Sequence, residues 1–285
     1  MLLSDSTSIT THQSIQVLEV DNDHARASIS LFGGHIISFI PKYDQRQRLW
    51  LSEQAIFDAH HSIRGGVPVC WPWFGDHQAT RVDQSDKRFP AHGYVRKQQW
   101  LIVDCQDTPK GTEIILQPNS SQGDGFEGHA QLTLIIKVGL RLSMQLVTKN
   151  LGEKPFSFTC ALHSYFAIEN IHSCQLNGLS GDYKDKTRNW QILPTPSPYT
   201  FNEETDRVHL STPKQVTIVE EDSRIDISSN GHDSMVVWNP WAQNSAAMED
   251  MSDKGFESML CVETAITQGH TIGSGETHSL EQVIG

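Results

Sequence analysis

Residues 129–150 read HAQLTLIIKVGLRLSMQLVTKN, and Leu132, Leu134, Ile136, Leu140, Leu142, Met144 and Leu146 all fall on even numbers. A period of two puts every one of these side chains on one face of an extended chain, whereas a helix would need a period near 3.6. The segment therefore reads as an antiparallel hairpin. A turn at Lys137-Val138-Gly139 would set Ile136 opposite Leu140, Leu134 opposite Leu142 and Leu132 opposite Met144, with Gly139 supplying the positive φ of a three-residue loop.

Shorter runs of the same kind recur on both sides: SIQVLEV, ARASISLF, HIISFI, WLIVDC, TEIILQ, PFSFTC, QVTIVEE, RIDISS, SMVVW, SMLCVE and HSLEQVI. Gly, Pro, Asn, Asp and Ser clusters separate them, the punctuation of a β-sandwich or barrel. Only SEQAIFDAHH, residues 52–61, reads as a short helix. Nothing alternates strand with helix as a parallel βαβ sheet does. With no repeat, linker or charge block to divide its 285 residues, the chain is expected to be all-β, one antiparallel domain over residues 1–285.

Composition narrows the function. A net charge of −12 argues against a nucleic-acid surface, which needs clustered Lys and Arg to displace counterions. No window approaches the roughly 18 apolar residues of a membrane span, and MLLSDSTSITTHQS has neither a basic head nor an apolar segment, so a cytoplasmic protein is expected. The five cysteines are odd in number and widely spaced, which favours buried free thiols. There is no CxxC, no HExxH, no GxxxxGK[ST], no GxGxxG and no GxSxG elbow. Cysteine zinc, nucleotide-phosphate and serine-hydrolase readings are all weak, and no metal is expected.

Polar residues lodged in apolar segments remain. These are His163 in CALHSYFAI, Glu263 in LCVETAI, His92 and Arg96 in FPAHGYVRK, and Arg64 in IRGGVPVCWPWFG. A histidine in an apolar strand is more often a satisfied structural residue than a catalyst. Glu263 is costly to bury unpaired, yet it could end a strand in solvent or pair with an arginine. Arg64 and Arg96 could be surface charges or partners of acidic residues. Sequence spacing leaves these readings open.

Taken in order, FGGHIISFIPK, IRGGVPVCWPWFG, FPAHGYVRKQQW, LHSYFAI, FNEETDRV, VVWNPWAQ and MLCVETA resemble the aldose 1-epimerase superfamily, and more closely its glucose-6-phosphate 1-epimerase (hexose-6-phosphate mutarotase) branch. The resemblance implies a large antiparallel β-sandwich of the galactose mutarotase-like type and no metal or organic cofactor. It also implies interconversion of the α and β anomers of a hexose 6-phosphate. Motif by motif, His163 stands where the family has its catalytic acid and Glu263 where it has its base. Arg64, Arg96 and Asp206 match substrate-contacting positions of the phosphate-specific branch, and His92 matches a second active-site histidine. Ala91 departs from the pattern, since some relatives place a substrate-binding glutamine there.

The implied reaction needs an acid and a base about one anomeric carbon. Ionised Glu263 would take the hydroxyl proton and protonated His163 would supply the ring oxygen, with a neighbouring carboxylate keeping the imidazole charged near neutral pH. The arginines would clamp phosphate through parallel hydrogen bonds. Asp206 would accept from sugar hydroxyls or orient an arginine. Trp71, Trp73 and Phe74 could stack on the sugar, although Trp in a sandwich is more often core. A small sugar phosphate is the expected partner, and a monomer is expected. The rivals are an aldose 1-epimerase for free hexoses and a non-catalytic carbohydrate-binding sandwich.

Overall fold

The computed structural model describes residues 3–77 and 88–285. The hairpin exists as strands Ala130–Val138 and Leu142–Asn150, with their even-numbered residues turned inward. Its turn lies two residues later than the expected one, so that Ile136 faces Met144 and Leu134 faces Leu146. Val138 is fully buried and prolongs the inward row, and the chain reverses at Gly139-Leu140-Arg141, leaving Leu140 59% exposed. Gly139 does not take a positive φ. It is required for closeness instead: a Cβ there would lie 2.3 Å from the Lys110 carbonyl oxygen.

All the other runs read as strands from the sequence fall within strands, to within two residues at their ends, and they assemble antiparallel. One eight-stranded sheet has the spatial order Gln175–Asn177, Gln215–Val219, Arg224–Asn230, Thr277–Ile284, Leu142–Asn150, Ala130–Val138, Gly111–Pro118 and Trp100–Thr108. A second is ordered Gln191–Pro194, Asp182–Asp185, Thr205–His209, Ser234–Asn239, Met259–Ile272, Phe156–Leu162 and Val69–Cys70, with Tyr165–Ala167 also paired to Met259–Ile272. Strands Thr7–His12, Ile15–Asp21, Ala25–Ser30 and His35–Pro41 form a third sheet. The main apolar core draws on all three: Leu134 and Met144 from the first, Leu162, Val237 and Val262 from the second, Leu18 and Phe39 from the third.

The helix expected at residues 52–61 does not form. The Asp58 carboxylate accepts the backbone N–H groups of His60 and His61 at 2.9 and 2.8 Å, a local turn that competes with helical hydrogen bonding. Phe57 is drawn into a small apolar cluster with Ile15, Val17 and Ile37. The one α-helix among the described residues is Trp241–Ala247. No helix among them is long and apolar enough to cross a membrane. All five cysteines are buried and unpaired, as expected.

The second sheet sets the chemistry. Along Met259–Ile272, Leu260, Val262 and Ile266 point into the core, so period two sends Cys261, Glu263 and Ala265 to the opposite face. The same alternation runs through ALHSYF, with Leu162 and Phe166 inward and Ala161 and Tyr165 on the outer face. That face is nevertheless covered: Cys70, Ala161, Val208, Val236 and Ala265 form a second apolar cluster on it, with Phe74 packed against them.

Candidate active site

Glu263 sits mid-strand on the covered face with 1% of its surface exposed. Val236 is its neighbour across the sheet and Val208 lies one strand further, so two aliphatic side chains flank the carboxylate. The next row of the face runs Tyr165, Cys261, Trp238 and Asp206. His163 occupies the two-residue gap between strands Phe156–Leu162 and Tyr165–Ala167, held by its backbone N–H on the Pro68 carbonyl at 3.1 Å. Its Nδ1 lies 3.4 Å from Glu263 Oε1.

Burial governs both groups. It pushes the Glu263 carboxyl well above the ordinary carboxylate range, and Asp206 adds to the effect. It pushes His163 well below the ordinary imidazole value, with His92, Arg96 and Arg64 acting in the same direction. Burial therefore favours a neutral acid beside a neutral imidazole, not the imidazolium expected from the sequence. A neighbouring carboxylate was expected to keep His163 charged; desolvation outweighs it. The pair still holds one transferable proton, because moving a proton from Glu263 to His163 changes no total. His163 Nδ1 and Glu263 Oε2 also lack a hydrogen-bond partner despite burial, which is uncommon outside functional sites.

Other predicted residues surround this pair. The His163 ring meets His92 edge-on at 5.6 Å on one side and stacks on Tyr165 at 4.9 Å and 9° on the other. The Gly75 N–H donates to His92 Nδ1 at 3.3 Å, which leaves the proton of the neutral ring on Nε2. Burial, with Arg96 next in weight, holds His92 down to about 3, so it is neutral. His92, Phe74, Lys186 and Asp206 line a cavity of about 610 Å³. Arg64, Arg96, Lys97 and Tyr165 line another of about 370 Å³. His163 lines neither, but its ring packs against one residue of each, His92 and Tyr165.

The two arginines are held differently. Arg64 donates from Nε to Asp250 Oδ1 and from Nη1 to the Tyr165 hydroxyl, both at 3.1 Å. Arg96 donates from Nη2 to the Ala91 carbonyl at 3.0 Å, and its Nε is buried without a partner. Ala91 thus contributes a backbone oxygen, which needs no glutamine side chain. Asp206 pairs with Lys186, Nζ to Oδ2 2.6 Å, and not with an arginine.

Of the three aromatic residues in IRGGVPVCWPWFG, only Phe74 lines the larger cavity. Trp71 is core, donating from Nε1 to Thr148 Oγ1 at 3.1 Å, and Trp73 donates to the Pro90 carbonyl at 2.9 Å. The Gly-Gly step lets three segments meet. A Cβ on Gly65 would lie 2.5 Å from the Trp50 carbonyl oxygen, and one on Gly66 2.2 Å from that of Ile36.

Sequence reading missed Asp250, Lys186 and Tyr165. Tyr165 stands in the quoted LHSYFAI, two residues from His163 and on the same face by alternation, so a signal was present. Asp250 and Lys186 lie in polar stretches, AAMEDMSDK and DYKDKTR, with nothing local to separate them from surface charges.

Residues 16–285 match the aldose 1-epimerase family. An Escherichia coli (strain K12) protein named "Putative glucose-6-phosphate 1-epimerase" is 31% identical over 255 residues, 88% of this chain and 83% of that protein. The crystal structure of a "putative mutarotase" from Salmonella typhimurium superposes with a TM-score of 0.89 at 29% identity, covering 99% of this chain and 94% of that one. A galactose mutarotase-like protein from Clostridium acetobutylicum shares the fold, with a TM-score of 0.74 at 14% identity over 98% of this chain and 97% of that one.

Proposed function

The chain belongs to the aldose 1-epimerase family, and we propose that it interconverts the α and β anomers of a hexose 6-phosphate, D-glucose 6-phosphate foremost, with Glu263 and His163 as its proton-transfer groups. The observation that carries this reading is one buried carboxyl–imidazole pair, Nδ1 to Oε1 3.4 Å, whose histidine packs on His92 of one cavity and on Tyr165 of another. The larger, with His92 and Asp206, suits a sugar. The smaller, with Arg64 and Arg96, suits a phosphate.

In the proposed reaction the bound phosphate dianion and the sugar hydroxyls favour imidazolium and carboxylate over the neutral pair, by a shift of one proton. Glu263 then takes the proton of the anomeric hydroxyl while His163 protonates the ring oxygen. The bond from the anomeric carbon to the ring oxygen breaks, and the aldehyde forms. After rotation about the bond to the next carbon, the former ring hydroxyl attacks the other face; His163 recovers its proton from that hydroxyl and Glu263 returns its own to the new anomeric oxygen. No atom is gained or lost, and both groups end as they began. Positioned acid–base groups contribute about 10²- to 10⁴-fold each.

The shifted groups suit neutral pH. An unperturbed carboxyl–imidazole pair would lose its last shared proton above about pH 6.5. With Glu263 raised and His163 lowered, the last shared proton belongs to the carboxyl instead of the imidazole. Asp206, fixed by Lys186, is assigned to sugar hydroxyls.

Anomer exchange followed by NMR with glucose 6-phosphate and with free glucose and galactose tests the reading. A clear preference for the phosphate is expected. Equal or faster exchange of the free sugars would transfer the assignment to free hexoses, and no catalysis of any would leave only a binding role.

A further inference from the structure

Cys261 lies two residues before Glu263, so both side chains leave the strand on the same face. The proton-transfer chemistry assigned to Glu263 and His163 makes no use of a thiol. Yet Cys261 Sγ, a ring nitrogen of His163 and a Glu263 carboxylate oxygen all lie within 4.8 Å of one another. Imidazole nitrogen, thiolate sulfur and carboxylate oxygen are the donors from which zinc sites are built. The 3.4 Å between His163 Nδ1 and Glu263 Oε1 agrees with the separation of about 3.4 Å that tetrahedral ligands at about 2.1 Å from a zinc ion would show. His163 Nδ1 and Glu263 Oε2 are buried and have no protein partner, so no existing hydrogen bond at these atoms need be broken.

We propose that His163, Cys261 and Glu263 form a binding site for a thiophilic divalent cation of the zinc type, and that filling it blocks the enzyme. The ion is an inhibitor here and not a cofactor, because it occupies the lone pairs through which the pair would move protons. Burial raises both the Cys261 thiol and the Glu263 carboxyl, so the ion displaces one proton from each to solvent as it binds. The thiolate and carboxylate so formed supply two negative charges to it; Arg64 and Asp206 act on the thiol with opposite signs. Magnesium and calcium, which favour oxygen-only ligand sets, should be rejected. Binding is independent of the proposed function; inhibition rests on it.

Co²⁺, added to the full chain without substrate, should give a sulfur-to-cobalt charge-transfer absorption that Zn²⁺ displaces and Mg²⁺ does not. Cys261→Ser should abolish that band and weaken Zn²⁺ in calorimetry by more than the roughly 10- to 100-fold that loss of an outer-shell partner costs. Cys261→Ala should behave alike, and Glu263→Gln should also weaken Zn²⁺. In anomer exchange, Zn²⁺ should inhibit the wild type, and Cys261→Ser should keep its basal rate while losing sensitivity. Absence of a cobalt–thiolate band in the wild type, or its persistence in both Cys261 variants, would overturn the site. A normal band with no inhibition would overturn the inhibitory role. A normal band in a protein that exchanges no anomers would uphold the site and remove the proposed function.

Discussion

Replacing Arg64 by alanine should separate the proposed phosphate recognition from sugar chemistry, and its effect follows from the contacts around the guanidinium. Asp250 and the Tyr165 hydroxyl hold Nε and Nη1, which aims the group into the smaller cavity without rotamer freedom. Truncating one partner of a buried, hydrogen-bonded charge pair costs about 2–5 kcal/mol. The side chains of Arg64 and Asp250 are 26% and 20% exposed, so solvent screens part of this and the lower half of the range applies. With 1.4 kcal/mol per decade, kcat/KM for glucose 6-phosphate should fall by about 30- to 300-fold. Free hexose, which carries no phosphate for that cavity, should be little affected. Removing Arg64 also strips Asp250 of its counter-ion and leaves a carboxylate facing an incoming dianion. Asp250→Asn added to Arg64→Ala should therefore restore part of the lost rate. The assay is two-dimensional exchange NMR on both sugars at several concentrations. An equal loss for free and phosphorylated sugar, or no loss for either, would refute the division of the site into sugar and phosphate halves.

Further expectations concern the buried pair and its supports. Glu263→Gln should lower anomer exchange by about 10²- to 10⁴-fold. The same substitution should also stabilise the protein increasingly as pH rises. The folded carboxyl is raised, so the unfolded chain releases its proton first, and the wild type loses stability above about pH 4.5 up to the raised value, at about 1.4 kcal/mol per unit. Melting temperatures of the two proteins that keep a constant difference from pH 4 to 8 would contradict the shift. The wild-type rate should keep its maximum at neutral pH, with its acid limb set by the lowered imidazole and its alkaline limb by the raised carboxyl; a maximum confined to between pH 4.5 and 6.5 would show an unperturbed pair. Tyr165→Phe keeps the stack on His163 but loses the hydrogen bond to Arg64, so it should raise KM for the phosphorylated sugar with kcat nearly unchanged, whereas Tyr165→Leu should lower kcat as well. Gly93→Ala should cost stability and activity together in thermal melts and exchange assays, since its Cβ would meet the Trp71 carbonyl oxygen at 1.9 Å.

Much of the fold was legible because burial on one side of a strand writes itself into alternate residues. The row from Leu132 to Leu146 announced a hairpin, whereas LHSYF and MLCVETA left the burial of His163 and Glu263 open. The short strands Asp182–Asp185 and Thr205–His209 were not legible. They are brief and rich in polar residues, and Asp185, Arg207 and His209 are buried within them by hydrogen bonds and ion pairs instead of apolar contacts. The turn after Val138 was misplaced because a glycine there served close packing, not positive φ. The helix expected at 52–61 was lost to a local carboxylate turn and the pull of Phe57 into a cluster.

The amino-acid sequence by itself determined an antiparallel β architecture and the family, and it singled out the residues proposed for proton transfer, because side-chain periodicity and ordered motifs are local properties of the chain. Only the tertiary structure decided what those residues experience. That the face bearing Glu263 is covered, that Asp250 and Tyr165 hold Arg64, that Lys186 takes Asp206, and that Cys261 converges on the pair all depend on segments far apart in the chain. Burial is a property of everything packed around a group. It alone turns the charged acid and base expected from sequence into a neutral pair sharing one proton.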